Sequence, residues 1–180
     1  MGWTSPRTWV ASEIVTAALL NTHVRDNLNA INGFVRKTAD ESVTSSAVLQ
    51  NDDHLSYTIG ATGTYAVDVY LIGTSAANAA GDLNVAFTFP TGTFYLTSSG
   101  LDASLASGSS GTVQTLGGSI TSGTAFASYG LSTTQTSILL HGTFVATATG
   151  TLQLQWCQAV SNANASTLKA GSSMLVKQVA

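Results

Sequence analysis

The residues best able to do chemistry stand consecutively at Asp52-Asp53-His54. Two carboxylates and an imidazole suit a divalent metal, but neighbours on a strand point to opposite faces, so three in a row do not converge on one ion. The expectation is a solvated strand start and no metal site. Ser and Thr abound, yet no Gly-x-Ser-x-Gly elbow occurs, and no spacing ties a serine to His141 and an aspartate. His23 falls on a helical stretch and reads as an outward polar residue. His141 alternates out of phase with Leu140 and is expected to face solvent or a neighbouring chain. Phosphate-binding loops, dinucleotide fingerprints and Cys-x-x-Cys pairs are all missing from the sequence, so no catalytic residue and no cofactor is assigned.

Carbohydrate recognition uses exposed aromatic rings beside amides. Tyr95, Tyr129, Trp156, Gln153, Gln155 and Gln158 are of the right types. Trp156, however, shares parity with Leu152 and Leu154, which assigns it to a core and leaves the glutamines outward.

The charge pattern narrows the partners. Only 8% of the 180 residues are charged, against roughly 25% in an average soluble domain, and from Ala103 to Leu168 there is no Asp, Glu, Lys or Arg. Either the exposed strand positions are Thr and Ser, or much of this surface is covered by identical subunits or meets a neutral ligand such as a host glycan. The net charge of −3 provides no basic stripe for a nucleic acid. Cys157 is the single cysteine, so no intrachain disulfide can form; it is expected to pack as a small hydrophobe beside Trp156. No apolar run approaches the ~18 to 20 residues of a membrane span, and Ile14 to Leu20, flanked by Glu13, does not read as a signal peptide. Asn164-Ala165-Ser166 matches a glycosylation sequon only formally.

These side chains need elements to hold them. Residues 1 to 13 carry Trp3, Pro6, Arg7 and Trp9 in a segment too short for its own core, so the tryptophans must pack on a partner or on the adjacent helix. From Thr16, a good N-cap, to about Val35 the pattern predicts one helix, with Gly33 marking its fraying end. Ile14, Ala17, Asn21, Val24, Leu28, Ile31 and Val35 recur by threes and fours, as in a heptad seam; a helix packed on its own domain shows the same spacing. The charges of Arg36, Lys37, Asp40 and Glu41 mark a linker at 37–46. Beyond it period two dominates: Leu55, Tyr57 and Ile59; Tyr65, Val67, Val69 and Leu71; Leu83, Val85, Phe87 and Phe89 before Pro90. Ile138, Leu140, Phe144 and Ala146, then Leu152, Leu154 and Trp156 across Thr149-Gly150, predict a hairpin. No helical pattern follows residue 46. The fold class expected is mainly β: an antiparallel β-sandwich or jelly roll at 47–180, preceded by an N-terminal arm and one α-helix at 1–36.

Pro6-Arg7-Thr8-Trp9-Val10 and the run from Val15 to Leu28 (Val-Thr-Ala-Ala-Leu-Leu-Asn-Thr-His-Val-Arg-Asp-Asn-Leu) resemble the opening of phage minor tail and fibre proteins. Leu49 to Leu55, Thr64-Tyr65, Phe89-Pro90, Gly150 to Trp156 and Ala170-Gly171-Ser172 are similar to the head of such proteins from phages of actinobacteria. The chain departs from them in having Ser12-Glu13 where Gly-Glu is usual, and Cys157 where Ala precedes the final Gln. The resemblance implies a non-enzymatic virion component whose head is like the trimeric, tumour-necrosis-factor-like jelly roll. On that expectation Trp3, Pro6, Arg7 and Trp9 dock the chain to other virion proteins, of tail or capsid, and the helix seam joins a homotrimer. The head projects for host attachment; the alternative is a capsid decoration or head-fibre protein bound to the shell.

Overall fold

The structure, a computed structural model, describes residues 4–5, 7–28, 33–76, 82–103 and 113–179, with 113–116 as backbone alone. The described residues form twelve strands: β1 Phe34–Arg36, β2 Glu41–Val43, β3 Gln50–Ile59, β4 Gly63–Ser75, β5 Leu83–Thr88, β6 Gly92–Leu101, β7 Val113–Ile120, β8 Ala127–Tyr129, β9 Thr136–Ala146, β10 Gly150–Gln158, β11 Ser166–Leu168 and β12 Ser173–Gln178. All pairs are antiparallel. The larger sheet runs β1-β12-β4-β9-β6-β7, with β11 joining β2 to β4, and the smaller runs β3-β10-β5-β8. With β6, β7 and the short β2 and β11 set aside, eight strands remain. In chain order they stand first-eighth-third-sixth in one sheet and second-seventh-fourth-fifth in the other, the doubly wound Greek-key order of a jelly roll. The expected mainly β sandwich is thus the fold.

The period-two residues fill the space between the sheets. Val67, Val69 and Leu71 of β4 and Ile138, Leu140 and Phe144 of β9 face Leu55, Ile59, Val85, Phe87, Leu152, Leu154 and Trp156, all buried. Four phenylalanines bind the layers at one end: Phe87 of β5 lies 5.3 Å from Phe94 of β6, and Phe89 lies 5.3 Å from Phe144 of β9 and 5.6 Å from Phe94. Tilted and edge contacts of this kind add about 0.5–1.5 kcal/mol each beyond area burial. Gly142 serves a close approach, because a Cβ there would lie 2.2 Å from the Tyr95 carbonyl oxygen on the adjacent β6.

Three expectations are corrected. β9 and β10 do not pair: β9 sits between β4 and β6, and β10 between β3 and β5, so the link after Ala146 crosses between sheets instead of closing a hairpin. Thr147 and Ala148 donate their amides to Thr91 O at 2.9 and 3.2 Å, anchoring this corner to the turn after β5. The helix does not reach Val35. Thr16 caps it as expected, accepting from the Leu19 amide, and Ala17–Leu20 (α1) is α-helical, but Asn21–Asp26 widens into a π-helical segment. Val35 lies in β1, opposite Met174 of β12, and packs against the core. Gly33 is buried and is no fraying helix end; a Cβ on it would meet Val176 O at 1.7 Å, so glycine lets this backbone press against β12. Finally, the segment read as a linker contains β2, paired with β11, and a buried lysine, Lys37. Strand pairing therefore begins ahead of residue 47.

Candidate interaction surfaces

The arm is held together locally. Arg7 pairs with Glu13, and its guanidinium carbon stands 5.5 Å from the centre of the Trp9 ring; Trp9 in turn meets His23 edge-on at 6.4 Å. Asn27, buried, accepts from the Thr4 amide at 2.9 Å and returns its side-chain amide to Thr4 O at 2.9 Å and His23 O at 3.2 Å. Thr4 is thereby tied back to the helical segment, a role the sequence did not announce for Asn27. Trp9 is still 43% exposed. Trp3 and Pro6, assigned with Arg7 and Trp9 to docking, lie outside the described residues, as does Ile31 of the seam.

Of the other seam residues, Ile14, Ala17, Asn21, Val24 and Leu28 are all exposed, Ile14 at 83% and Leu28 at 61%, while Val35 belongs to the sheet. No residue of α1 or of the π-helical segment is buried. A helix this short, with its apolar side chains in water, draws little stability from propensity alone. The wider π turn also rotates successive side chains by less than an α-helix does, which shifts any seam read at a strict heptad spacing.

A second apolar surface lies on the outward face of the larger sheet. Registers place Phe34, Leu175, Asp68, His141 and Thr97 in one row across β1, β12, β4, β9 and β6, and Arg36, Ser173, Tyr70, Leu139 and Ser99 in the next. Phe34, Tyr70, Leu139 and Leu175 are exposed at 54, 39, 54 and 36%, and with Asp68 and His141 they border a shallow groove of about 330 Å³. Asp68 and His141 pair with each other in the midst of these apolar groups. His141 thus faces outward as its parity implied. Of the rings and amides proposed for a glycan, Tyr95 is exposed, but Tyr129, Trp156 and Gln158 are buried. Gln158 is a correction to its outward assignment: its Oε1 accepts from Ser46 N and Asn162 N, and its Nε2 donates to Asn164 O at 2.7 Å. Gln155 bonds Asn51 and Gln153 is spent on backbone carbonyls, so these six residues form no single site. Cys157 is buried beside Trp156, and that burial pushes its thiol up.

Asp52-Asp53-His54 divides by face, as alternation requires, but Asp52 is not solvated. It is buried against Lys37, while Asp53 is exposed. Among the described residues no group of three His, Cys, Asp or Glu side chains is arranged to hold a metal. Among them, too, no helix is long and apolar enough to cross a membrane. No protein-family model matches the chain, and no curated protein matches it in sequence.

Proposed function

We propose that the chain is a non-enzymatic structural protein of a tailed-bacteriophage particle, of the minor tail or fibre type, acting as a homotrimer whose β-sandwich head projects for host attachment. The observation that carries this reading is the exposed helical arm: Ile14, Val24 and Leu28 stand in water beside a jelly roll whose own core is filled by its strands. Apolar surface left in this way belongs to an interface. The motifs of the arm that resemble phage tail proteins coincide with it.

The outward face of the larger sheet supplies the second contact. Phe34, Tyr70, Leu139 and Leu175 supply its apolar area, and Asp68, Arg36 and Lys177, which share its outward parity, offer charges of both signs that opposing copies can pair. Burying it between three copies accounts for the absence of Asp, Glu, Lys and Arg from the outward positions of β9. Three weak receptor sites on one trimer gain roughly 10²–10⁴ in avidity, which suits reversible adsorption to a cell surface.

Immunogold labelling of intact particles with antibody against the head, beside isolated tails and empty capsids, tests this function. Gold at the tail tip or baseplate is the expected result. Gold spread over the shell makes the protein a capsid decoration and removes host attachment from its role.

A further inference from the structure

One cluster at the end of the sandwich is not needed by an adhesin and is unusual for any protein surface or core. Lys37, the residue after β1, has a fully buried side chain. Its Nζ lies 2.6 Å from Asp52 Oδ2, also fully buried, and 2.5 Å from Glu41 Oε2, whose side chain is 11% exposed. The other carboxylate oxygen of Asp52 is held separately: Oδ1 accepts the backbone amides of His54 at 2.9 Å and Leu55 at 2.8 Å.

The backbone is shaped to produce this arrangement. The pairing of β3 with β10 slips between Gln153, opposite Ser56, and Gln155, opposite Asn51, so that residues 52–55 bulge out of the ladder. The carbonyls of Asp52 and Leu55 are satisfied by Gln153 Nε2, at 2.9 and 3.3 Å. The bulge turns Asp52 inward and aims two amides at Oδ1. Glu41 is fixed in turn by Gln50 Nε2 on Oε1 at 2.8 Å and by the Asp53 amide on Oε2 at 3.2 Å.

We propose that Lys37 and Asp52 condense to an intramolecular isopeptide bond, with Glu41 as the catalytic proton carrier. Every part of an acyl-transfer site is present: a nucleophile within reach, a base on that nucleophile, and two backbone donors placed where negative charge develops. Nζ gives a proton to Glu41 and its freed lone pair attacks Cγ of Asp52. The charge of the tetrahedral intermediate collects on Oδ1, under the His54 and Leu55 amides. Collapse breaks the Cγ–Oδ2 bond; Oδ2 takes up the two protons that leave Nζ, relayed in turn by Glu41, and departs as water. The ammonium and carboxylate become an amide and one water, Glu41 returns to its starting state, and no oxidant or other reactant is consumed. Burial favours the product, because it replaces two desolvated charges by a neutral amide.

The bond would join β1 of the larger sheet to β3 of the smaller. It would close the chain across the sandwich at the point where the N-terminal arm enters, in a protein whose single cysteine cannot form an intrachain disulfide. A pull on the arm would then load both sheets through a covalent tie.

Intact-mass spectrometry of the full chain, purified in its folded state, decides the matter. The expected mass is that of the sequence, corrected for any N-terminal processing, less one water; tryptic digestion leaves the bond after Lys37 uncut and yields residues 37–169 as one internally bridged peptide, one water below its sequence mass, because no Lys or Arg lies between Lys37 and Lys169. Glu41→Gln is expected at its full sequence mass. Asp52→Asn, which would release ammonia in place of water, is expected to end at the same mass as the native protein. A native chain at the full sequence mass overturns the proposal without reference to any variant. So does a chain lighter by one water that is still cut after Lys37, since that result assigns the loss to a cyclic imide at Asp52.

Discussion

Asp68 and His141 stand opposite one another across β4 and β9 and pair on the outward face of the larger sheet, with Tyr70 and Leu139 opposite each other in the adjoining row. A polar pair set among apolar side chains gives an interface at this face a fixed register.

Leu139→Glu tests that arrangement. Leu139 is 54% exposed, so within one chain the substitution should cost no more than about 0.5 kcal/mol. In a trimer it brings three carboxylates into one apolar contact, where like charges cost several kcal/mol. Sedimentation equilibrium is expected to give a trimer for the native chain and a monomer with unchanged far-ultraviolet circular dichroism for the variant. A variant that stays trimeric places the interface elsewhere.

The arm should be separable from the head, provided the cut respects the strands. Deleting residues 1–28 spares Gly33, whose carbonyl accepts from Val176 N at 2.8 Å, and β1, which pairs with β12. The truncated chain is expected to melt within a few degrees of the full one and to be lost from virions when it replaces the native copy. Normal incorporation, measured by blotting purified particles, would mean that the arm is not the attachment device.

Sequence and structure agree where one physical rule governs and part where two compete. The strands were legible because Val67, Val69 and Leu71, or Ile138 and Leu140, alternate between core and surface with a period no helix imitates. The false hairpin arose from the same rule. Both sheets of a sandwich point alternate residues at one core, so equal parity in Phe144 and Leu152 is satisfied by two paired strands and equally by two facing ones. Val35 fitted the helical spacing and a strand alike, and Gly33 was read as a local signal when its constraint is the carbonyl of Val176. Asp52 was hidden for another reason. Charged residues are ordinarily solvated, and nothing in Asp-Asp-His discloses a bulge that turns one carboxylate onto Lys37. Ile14 and Leu28 are both exposed, but their spacing does not name what covers them.

The core makes quantitative demands. Trp156 lies fully buried on β10 opposite Val85 of β5, and Trp156→Ala should cost about 3–5 kcal/mol through lost contacts and the cavity left behind. Gly142→Ala, a far smaller change, is expected to be destabilising too, because the new methyl group meets the Tyr95 carbonyl oxygen at 2.2 Å and the Leu96 side chain at 2.9 Å in the middle of a three-strand ladder. A cost of about 1–3 kcal/mol, the range for overpacking, is expected from urea denaturation. A fully tolerated alanine would show that β6 and β9 can separate at this point.

Asp82, just before β5, gives the fold a pH dependence of unusual sign for a carboxylate. Burial pushes its carboxyl above the ordinary range, and Asp102 adds to the effect against a backbone hydrogen bond from Leu131; its Oδ1 has no hydrogen-bond partner. A group raised in this way holds its proton more tightly folded than unfolded. Its contribution is complete below the unfolded value and is lost as pH rises through the folded one. Asp40 works in the opposite sense, since the hydrogen bond from Lys169 and the Ala170 amide hold it down, so total stability mixes the two. The difference between Asp82→Asn and the native chain isolates Asp82. Asparagine is neutral at every pH, so the variant should melt higher than the native protein at pH 7, and the gap should close as pH falls through the carboxylate range and Asp82 takes up its proton. A melting difference that stays constant from neutral to acid pH would mean that the ionised carboxylate carries no penalty in the folded state.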